Sequence, residues 1–328
     1  MYYFLNPDVT ELRLMEGSAE ETATGRKVHP YFCDDDADVI VRSSDGVDFR
    51  LYRAILGKVS PLFKSMFLLP QSPPVVDNEN TADFIDGLPV VTLTEDSKTL
   101  DALFRFCYPC IPPGLNSLSD VYPLLQAADK YDMELIAIQI RRIWKKLATL
   151  DPLRAFAIAC KMGWAEEARF AARLSLREPV WPLEPPVAPE FQDISGDTVI
   201  RLIAYHRKCG VVAKECAFDV QWTSRIFESS SCTQCLGSFT TSQTLRLRDW
   251  FTAYIKHAAP ALATQPSGSV VTKRAIVDQT IRDIYGGRPC EVEMHCIERI
   301  RQLVQTFGDE LDKVISQVSW YEIVVFLI

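Results

Sequence analysis

The chain has 328 residues, which at about 100–200 residues per domain is enough for two domains. Its net charge is −8 and its pI is about 5.2. Because nucleic-acid affinity comes mainly from Lys and Arg side chains that neutralise phosphates, this acidic balance argues against direct nucleic-acid binding. No run of roughly 18 apolar residues is present, so we expect no membrane-spanning helix.

The N-terminal stretch MYYFLNPDVTELRLMEGSAE has no basic region followed by a long apolar run, so it does not look like a secretory signal. We therefore expect a cytoplasmic or nuclear protein whose ten cysteines are reduced. In such a protein, most cysteines are simply small buried apolar side chains.

The first half of the chain predicts a small sheet with helices. Residues 1–34 have no clear period and predict a loosely ordered leader. In DADVIVRSSDGVDFRLY, two β-branched and alternating runs flank a Ser-Asp-Gly turn, which predicts a β-hairpin. Ser60-Pro61 then fits the N-cap and first position of a helix. A proline-rich loop, a third strand (VVTLT) and three helices follow, up to residue 148.

The second half, residues 149–328, predicts mainly helices. Five prolines between residues 178 and 191 predict a linker, because proline is excluded from regular helices and central strands. The last helix, about 291–318, repeats apolar residues at spacings of three and four. That pattern fits either one buried stripe of a core helix or a coiled-coil seam. The predicted fold class is α+β, with a sheet-containing domain at 35–148.

The stretch DADVIVRSSDGVDFRLYRAILGKVSPLFKSMF resembles the start of a BTB/POZ domain, and LLQAADKYDM resembles a later helix of that family. The matching residues are Asp38, Val39, Phe49, Arg53, Ala54, Leu56, Ser60, Phe63, Met66, Phe67, Ala128, Asp129, Tyr131 and Met133. The resemblance covers about 35–148, and with SSDGVDF and FCYP it is most similar to BTB proteins of mushroom-forming fungi. Tyr52 stands where many BTB domains have His, but it keeps a large ring, so we expect the same fold.

This resemblance implies a protein–protein interaction module that forms homodimers and recruits partners. The candidate protein-binding residues lie on the hairpin and the two helices after it: Val39, Phe49, Ala54, Ile55, Lys58, Phe63, Met66 and Phe67. The aromatic and methionine side chains among them could anchor a partner or fill the core of the domain. For the dimer contact we favour the helix near residues 54–58 and the first strand of the hairpin.

A second role implied by the resemblance is that of a substrate adaptor for a cullin ubiquitin ligase. Some BTB domains bind a cullin through the loop after the helix that here ends in CYPC. In this chain the loop is PCIPPGLN, which prolines stiffen and which lacks an apolar-x-Glu pattern. We therefore keep the adaptor role as the alternative.

A possible structural zinc site lies in the second half, where His206, Cys209, Cys232 and Cys235 form the pattern H-x₂-C-x₂₂-C-x₂-C. Tetrahedral zinc takes four such ligands, and His206 and Cys209, three apart on a predicted helix, point in the same direction. A buried histidine and a core thiol would explain the same two residues. The fungal BTB proteins often have a similar pattern after the domain, and Cys216 could replace one ligand.

Catalytic signatures are weak in this sequence. The chain has two C-x-x-C pairs. Cys107 and Cys110 lie at a helix end, and Cys232 and Cys235 have no strand before them, so neither pair predicts a redox site. We find no glycine-rich phosphate loop, Ser/His/Asp arrangement or paired-carboxylate motif. The sequence therefore predicts no enzyme, and an active site in the helical half is the remaining alternative.

Overall fold

The structure is a computed structural model that describes residues 20–21, 26–69, 84–179, 188–219, 241–285 and 294–318. It divides into two compact units, residues 1–147 and residues 148–328. The first contains a sheet and helices, and the described part of the second is helical, so the predicted α+β class is confirmed.

One mixed sheet forms the centre of the first unit. Its strands are β1 (Glu20–Glu21), β2 (Lys27–Cys33), β3 (Val39–Arg42), β4 (Val47–Leu51), β5 (Phe84–Ile85) and β6 (Leu88–Thr92). Their order across the sheet is β1-β2-β4-β3-β6-β5. The predicted hairpin is present as the antiparallel pair β3 and β4, and the predicted third strand, β6, joins β3 in parallel.

The hairpin is fixed by its glycine and by an ion pair between the half-buried Arg42 and the buried Asp48. Gly46 has φ +81°, in the left-handed region that glycine adopts without a steric penalty. Beside the turn, the Arg42 guanidinium donates to both carboxylate oxygens of Asp48 over 2.6 and 2.8 Å. Asp48 is only 3% exposed. Removing Arg42 would therefore leave a buried charge unpaired, which typically costs about 3–5 kcal/mol.

Strand β2 lies where the sequence predicts only a loosely ordered leader. It pairs in parallel with β4 and buries Phe32 against Phe49 and Phe104. The strand contains Pro30 and its alternation is short, so its sequence carries little periodic signal. Strand β2 is stabilised by backbone hydrogen bonds to the edge of β4 that faces away from β3, and by the burial of Phe32.

Helices pack on this sheet and are bounded by caps that the sequence specifies. They are α1 (Arg53–Val59), α2 (Pro61–Leu68), α3 (Ser97–Cys107), α4 (Leu118–Lys130) and α5 (Glu134–Leu147). The N-cap of α2 is Ser60, followed by Pro61, as predicted. Asp96 caps α3 by accepting from the Thr99 amide.

The second unit is helical throughout its described part. Its elements are α6 (Pro152–Lys161), α7 (Ala165–Ser175), a 3₁₀ turn (Pro189–Asp193), α8 (Gly196–Phe218), α9 (Thr241–Thr264), α10 (Gly268–Val271), α11 (Arg274–Tyr285) and α12 (Met294–Ser316). None of the helices in the described ranges is long and apolar enough to cross a membrane. Gly163, at φ +69°, follows the C-cap of α6.

The end of the predicted proline-rich linker is held against α6. The 3₁₀ turn places Glu190 at 2.6 Å from the Arg154 guanidinium, and Lys161 pairs with Asp193. Glu190 is buried. The linker therefore leads into an ordered turn whose position depends on two ion pairs with α6, while residues 180–187 lie outside the described part.

Helix α12 buries one stripe in its own unit, which supports the core-helix interpretation of its spacing. The buried residues are Leu303, Val304, Phe307, Gly308, Leu311 and Ile315. The helix packs against α8 and α10. Asp312 also accepts a 2.7 Å hydrogen bond from the Gly268 amide at the start of α10.

We predict that Gly210→Ala destabilises the second unit by about 1–3 kcal/mol, despite the better helix propensity of alanine. A methyl group at Gly210 would lie 2.8 Å from the Ala263 carbonyl oxygen of α9, so α8 and α9 would have to separate. Urea unfolding measures the effect. Gly196→Ala is the control, since a methyl there meets no atom within 4 Å and should be neutral or stabilising. Equal effects of the two changes would contradict the prediction.

Candidate functional site

The junction of α1 and α2 is attached to the rest of the first unit by one serine. The Ser60 hydroxyl oxygen accepts from the Phe63 amide at 3.0 Å, and its proton is donated to the Tyr131 carbonyl at 2.5 Å. Ser60 is fully buried. The helical pair is therefore tied to the end of α4, which lies 71 residues further along the chain.

Aromatic stacking and a polar cluster strengthen the same junction. The Phe63 ring lies between Tyr131 and Phe67, with centroid distances of 5.0 and 6.0 Å. The Tyr131 hydroxyl donates to Glu95, which also accepts from Lys130 at 2.8 Å. Burial acts to raise the pKa of Glu95, but these hydrogen bonds outweigh it and lower the pKa. Burial, followed by the contact with Glu95, raises the pKa of Tyr131.

The eight predicted protein-binding residues fall into two groups. Three lie inside the first unit: Val39, Phe49 and Phe63. Five lie at its surface, where Ala54 and Lys58 are exposed and Ile55, Met66 and Phe67 are half-buried. All three contribute to the core: Val39 and Phe49 lie on strands β3 and β4, and Phe63 lies on α2. Only the surface group is accessible to a partner.

Helix α2 and its C-cap also expose leucines that are not among the predicted contact residues. Leu62 is 46% exposed and Leu69 is 63% exposed. Leu62 and Met66 are four residues apart on one side of α2, and Leu69 is the C-cap residue that follows the helix with extended backbone. We call Leu62, Met66 and Leu69 the α2 patch. Their spacing was visible in the sequence, but it does not tell an outward-facing stripe from a buried one.

The end of α3 and the loop after it carry an exposed apolar residue and two half-buried thiols. Ile111 is 62% exposed, between Cys110 and two prolines. Burial, and to a smaller extent the neighbouring Cys110, raises the pKa of Cys107 to about 12. A thiol with such a pKa stays protonated near neutral pH and is a poor nucleophile. Both cysteines are free thiols in the structure.

Two of the four predicted zinc ligands, His206 and Cys209, are buried on α8, and Cys232 and Cys235 lie outside the described residues. The His206 Nε2 atom lies 2.8 Å from the Ser175 hydroxyl, and Nδ1 has no hydrogen-bond partner within the described ranges. Burial lowers the pKa of His206 to about 4 and raises that of Cys209 to about 11. Among the described residues His206 Nδ1 has no partner, and Cys209 lies three positions further along the same helix, which fits half of a zinc site.

The described residues alone contain no complete metal site, because no three His, Cys, Asp or Glu side chains among them are grouped to hold a metal ion. Cys216, the possible replacement ligand, is buried on the same helix as His206. A four-ligand zinc site here would therefore need ligands from outside the described residues, such as the predicted Cys232 and Cys235.

The contact between Ser175 and His206 resembles part of a nucleophile–base pair, but its environment does not suit catalysis. Both residues are at least 97% buried, so a substrate has no access to the Ser175 oxygen. The serine also donates to the Ala172 carbonyl at 2.8 Å. The pair therefore joins α7 to α8 as a structural contact.

The first unit combines a mixed sheet, helices and the exposed α2 patch. Residues 30–146 match the family model of the BTB/POZ domain, so this part of the chain is a BTB/POZ domain, a protein–protein interaction module. No curated protein matches the chain. The narrower resemblance to BTB proteins of mushroom-forming fungi stays a prediction.

We predict that the metal-free protein loses about 3 kcal/mol of stability as the pH falls from 6.5 to 4, because His206 is held neutral. The unfolded chain binds a proton at His206 in this range and the folded chain does not, so unfolding is favoured as the pH falls. Urea unfolding with EDTA at several pH values measures the loss. The His206→Gln variant should show little of this loss of stability. The control is His257→Gln, which changes a partly exposed histidine and should leave the loss in place. An unchanged pH profile for His206→Gln would contradict the assignment.

Proposed function

We propose that the protein is a self-associating interaction module, in which the BTB/POZ domain forms a homodimer through α1 and α2 and the helical region recruits a partner. The observation that carries this proposal is the α2 patch, where leucines are exposed beside a rigidly held junction. The predicted surface residues Ala54, Ile55 and Lys58 of α1 belong to the same proposed face.

The physical basis is the burial of apolar surface. Removing apolar side chains from water contributes about 25 cal/mol per Å², and a twofold axis uses the same patch twice. A stable interface buries on the order of 1,200–2,000 Å² in total, more than one short helix provides. We therefore place the α2 patch at the centre of the interface and α1 at its edge.

The test compares two pairs of exposed apolar residues in the same domain. Leu62→Glu with Leu69→Glu introduces four charges into a symmetric interface and should weaken dimerisation at least about 100-fold. Leu135→Glu with Ile138→Glu, both exposed on α5, is the matched control and should leave the dimer intact. Analytical ultracentrifugation of the full chain gives the dissociation constants. A monomeric wild type, or equal effects of the two pairs, would refute the proposal.

The alternative proposal is a cullin adaptor that uses the loop after α3. Exposed Ile111 favours it, because an apolar side chain on a proline-stiffened loop can enter a partner's groove at a small entropic cost. A cullin N-terminal domain should then be retained by the full chain and lost with Ile111→Asp, with the dimer unaffected. No retention by the wild type would remove this alternative and leave self-association untouched.

We also propose that zinc, when present, is held by His206 and Cys209 together with Cys232 and Cys235, and that its role is structural. Support comes from the unsatisfied His206 Nδ1 atom, which has a free lone pair in the neutral ring. One zinc per chain is expected by elemental analysis, and chelation should lower the thermal midpoint of the wild type but not of Cys232→Ser. Less than about half a zinc per chain, without destabilisation by chelator, would contradict the proposal.

The remaining expectations stay predictions. They are the cytoplasmic or nuclear location and the lack of enzymatic activity outside the BTB/POZ domain.

A further inference from the structure

Helix α8 has two faces with different environments. One face packs against α9 and α12, and its buried residues are Leu202, Tyr205, His206, Cys209, Ala213 and Cys216. The opposite face is exposed, and its residues, which we call the outer seam, are Ile200, Ala204, Arg207, Val211, Lys214 and Phe218. Among the described residues, the core of the second unit is built on one side of this helix.

The outer seam has the spacing of a coiled-coil interface. Successive residues are four, three, four, three and four positions apart, so they occupy the a and d positions of a heptad repeat. Its three large apolar side chains are strongly exposed: Ile200 66%, Val211 56% and Phe218 60%. Regularly spaced apolar residues that contribute nothing to the core of their own unit are typical of a surface for another helix.

The charges in the seam indicate the chemistry of that helix. Arg207 and Lys214 are themselves seam positions, seven residues apart, and no acidic residue lies in the seam. In the part of the chain that the structure describes, neither takes part in an ion pair. A helix packed here would bring its own a and d residues against these cations. It is complementary if it carries carboxylates seven residues apart between apolar residues.

A second copy of α8 does not fit this requirement. In a parallel pair in register, Arg207 and Lys214 would each face themselves, and like charges in contact are repulsive. In an antiparallel pair centred on the seam, Arg207 would face Val211 and Lys214 would face Ala204. Neither arrangement offers a carboxylate to either cation.

An anionic membrane surface also fits less well than a helix. Membrane-surface helices have a broad apolar face, whereas the outer seam is one residue wide and is interrupted twice by a cation. The other side of α8 is covered by α9 and α12, so the apolar face cannot widen by rotation of the helix.

We propose that the outer seam of α8 is a docking surface for an acidic amphipathic helix of a partner protein. The partner helix packs along α8, places apolar residues against Ile200, Val211 and Phe218, and places carboxylates against Arg207 and Lys214. This surface lies in the second unit and does not depend on dimerisation through the BTB/POZ domain.

The experiment uses labelled synthetic helical peptides of about three heptads and the full chain. Their seam positions carry Leu, with Glu at the two positions that face Arg207 and Lys214. Two peptides cover the parallel and antiparallel orders, and matched peptides have Lys in place of Glu. Fluorescence anisotropy should show that one Glu peptide binds at least about 10-fold more tightly than its Lys counterpart.

The decisive variant is the double change Arg207→Glu and Lys214→Glu, which should invert this preference so that the Lys peptide binds more tightly. Lys64→Glu with Arg142→Glu makes the same change in net charge at exposed positions of the other unit and should leave the preference unchanged. Circular dichroism confirms that both variants fold.

Three results would overturn the proposal. One is the absence of binding by either Glu peptide below about 1 mM, which is weaker than a specific helix contact. The second is equal affinity for Glu and Lys peptides, or a preference that the double change does not alter. The third is binding to phosphatidylserine vesicles that the double change abolishes, without binding to any peptide, which would assign the seam to a membrane surface.

Discussion

The proposed dimer face depends on the two hydrogen bonds of the Ser60 hydroxyl. Ser60 lies between α1 and α2, and its buried hydroxyl accepts from the Phe63 amide as the N-cap of α2 and donates to the carbonyl of Tyr131. Because this serine fixes the start of α2, it also fixes which side of that helix points outward. Phe63 is then directed to the core, where it stacks on Tyr131, and Leu62 and Leu69 remain in water. A buried polar group thus determines the position of an exposed apolar surface.

In the second unit, packing also determines which face of a helix is exposed, here on the longer helix α8. The side of α8 that faces α9 and α12 is filled by small or polar residues such as Gly210, Ala213 and Cys209, which allow the helices to approach closely. This burial lowers the pKa of His206, and among the described residues its Nδ1 atom has no hydrogen-bond partner. Such an atom carries a free-energy cost unless something binds it, which is why it supports the zinc proposal. The outward side of the same helix carries the basic seam.

The two proposed surfaces differ in their physical basis. The α2 patch is apolar, and its association would depend weakly on salt. The outer seam combines apolar residues with cations, so its association should weaken as ionic strength rises. The overall charge of −8 gives no indication of this local basic surface, because composition averages over both units.

Local signals in the sequence determined the hairpin, the N-cap at Ser60 and the helical second half, since each depends on residues close together in the chain. They also carried the resemblance that identified the BTB/POZ domain. Strand β2 was missed because it is stabilised by the edge of β4 and by Phe32 rather than by its own period. The direction of each apolar stripe was decided by tertiary packing alone. The spacing of Leu62, Met66 and Leu69, or of Ile200, Val211 and Phe218, is the same whether the stripe faces a core or water, and only the neighbouring helices decide which face is buried.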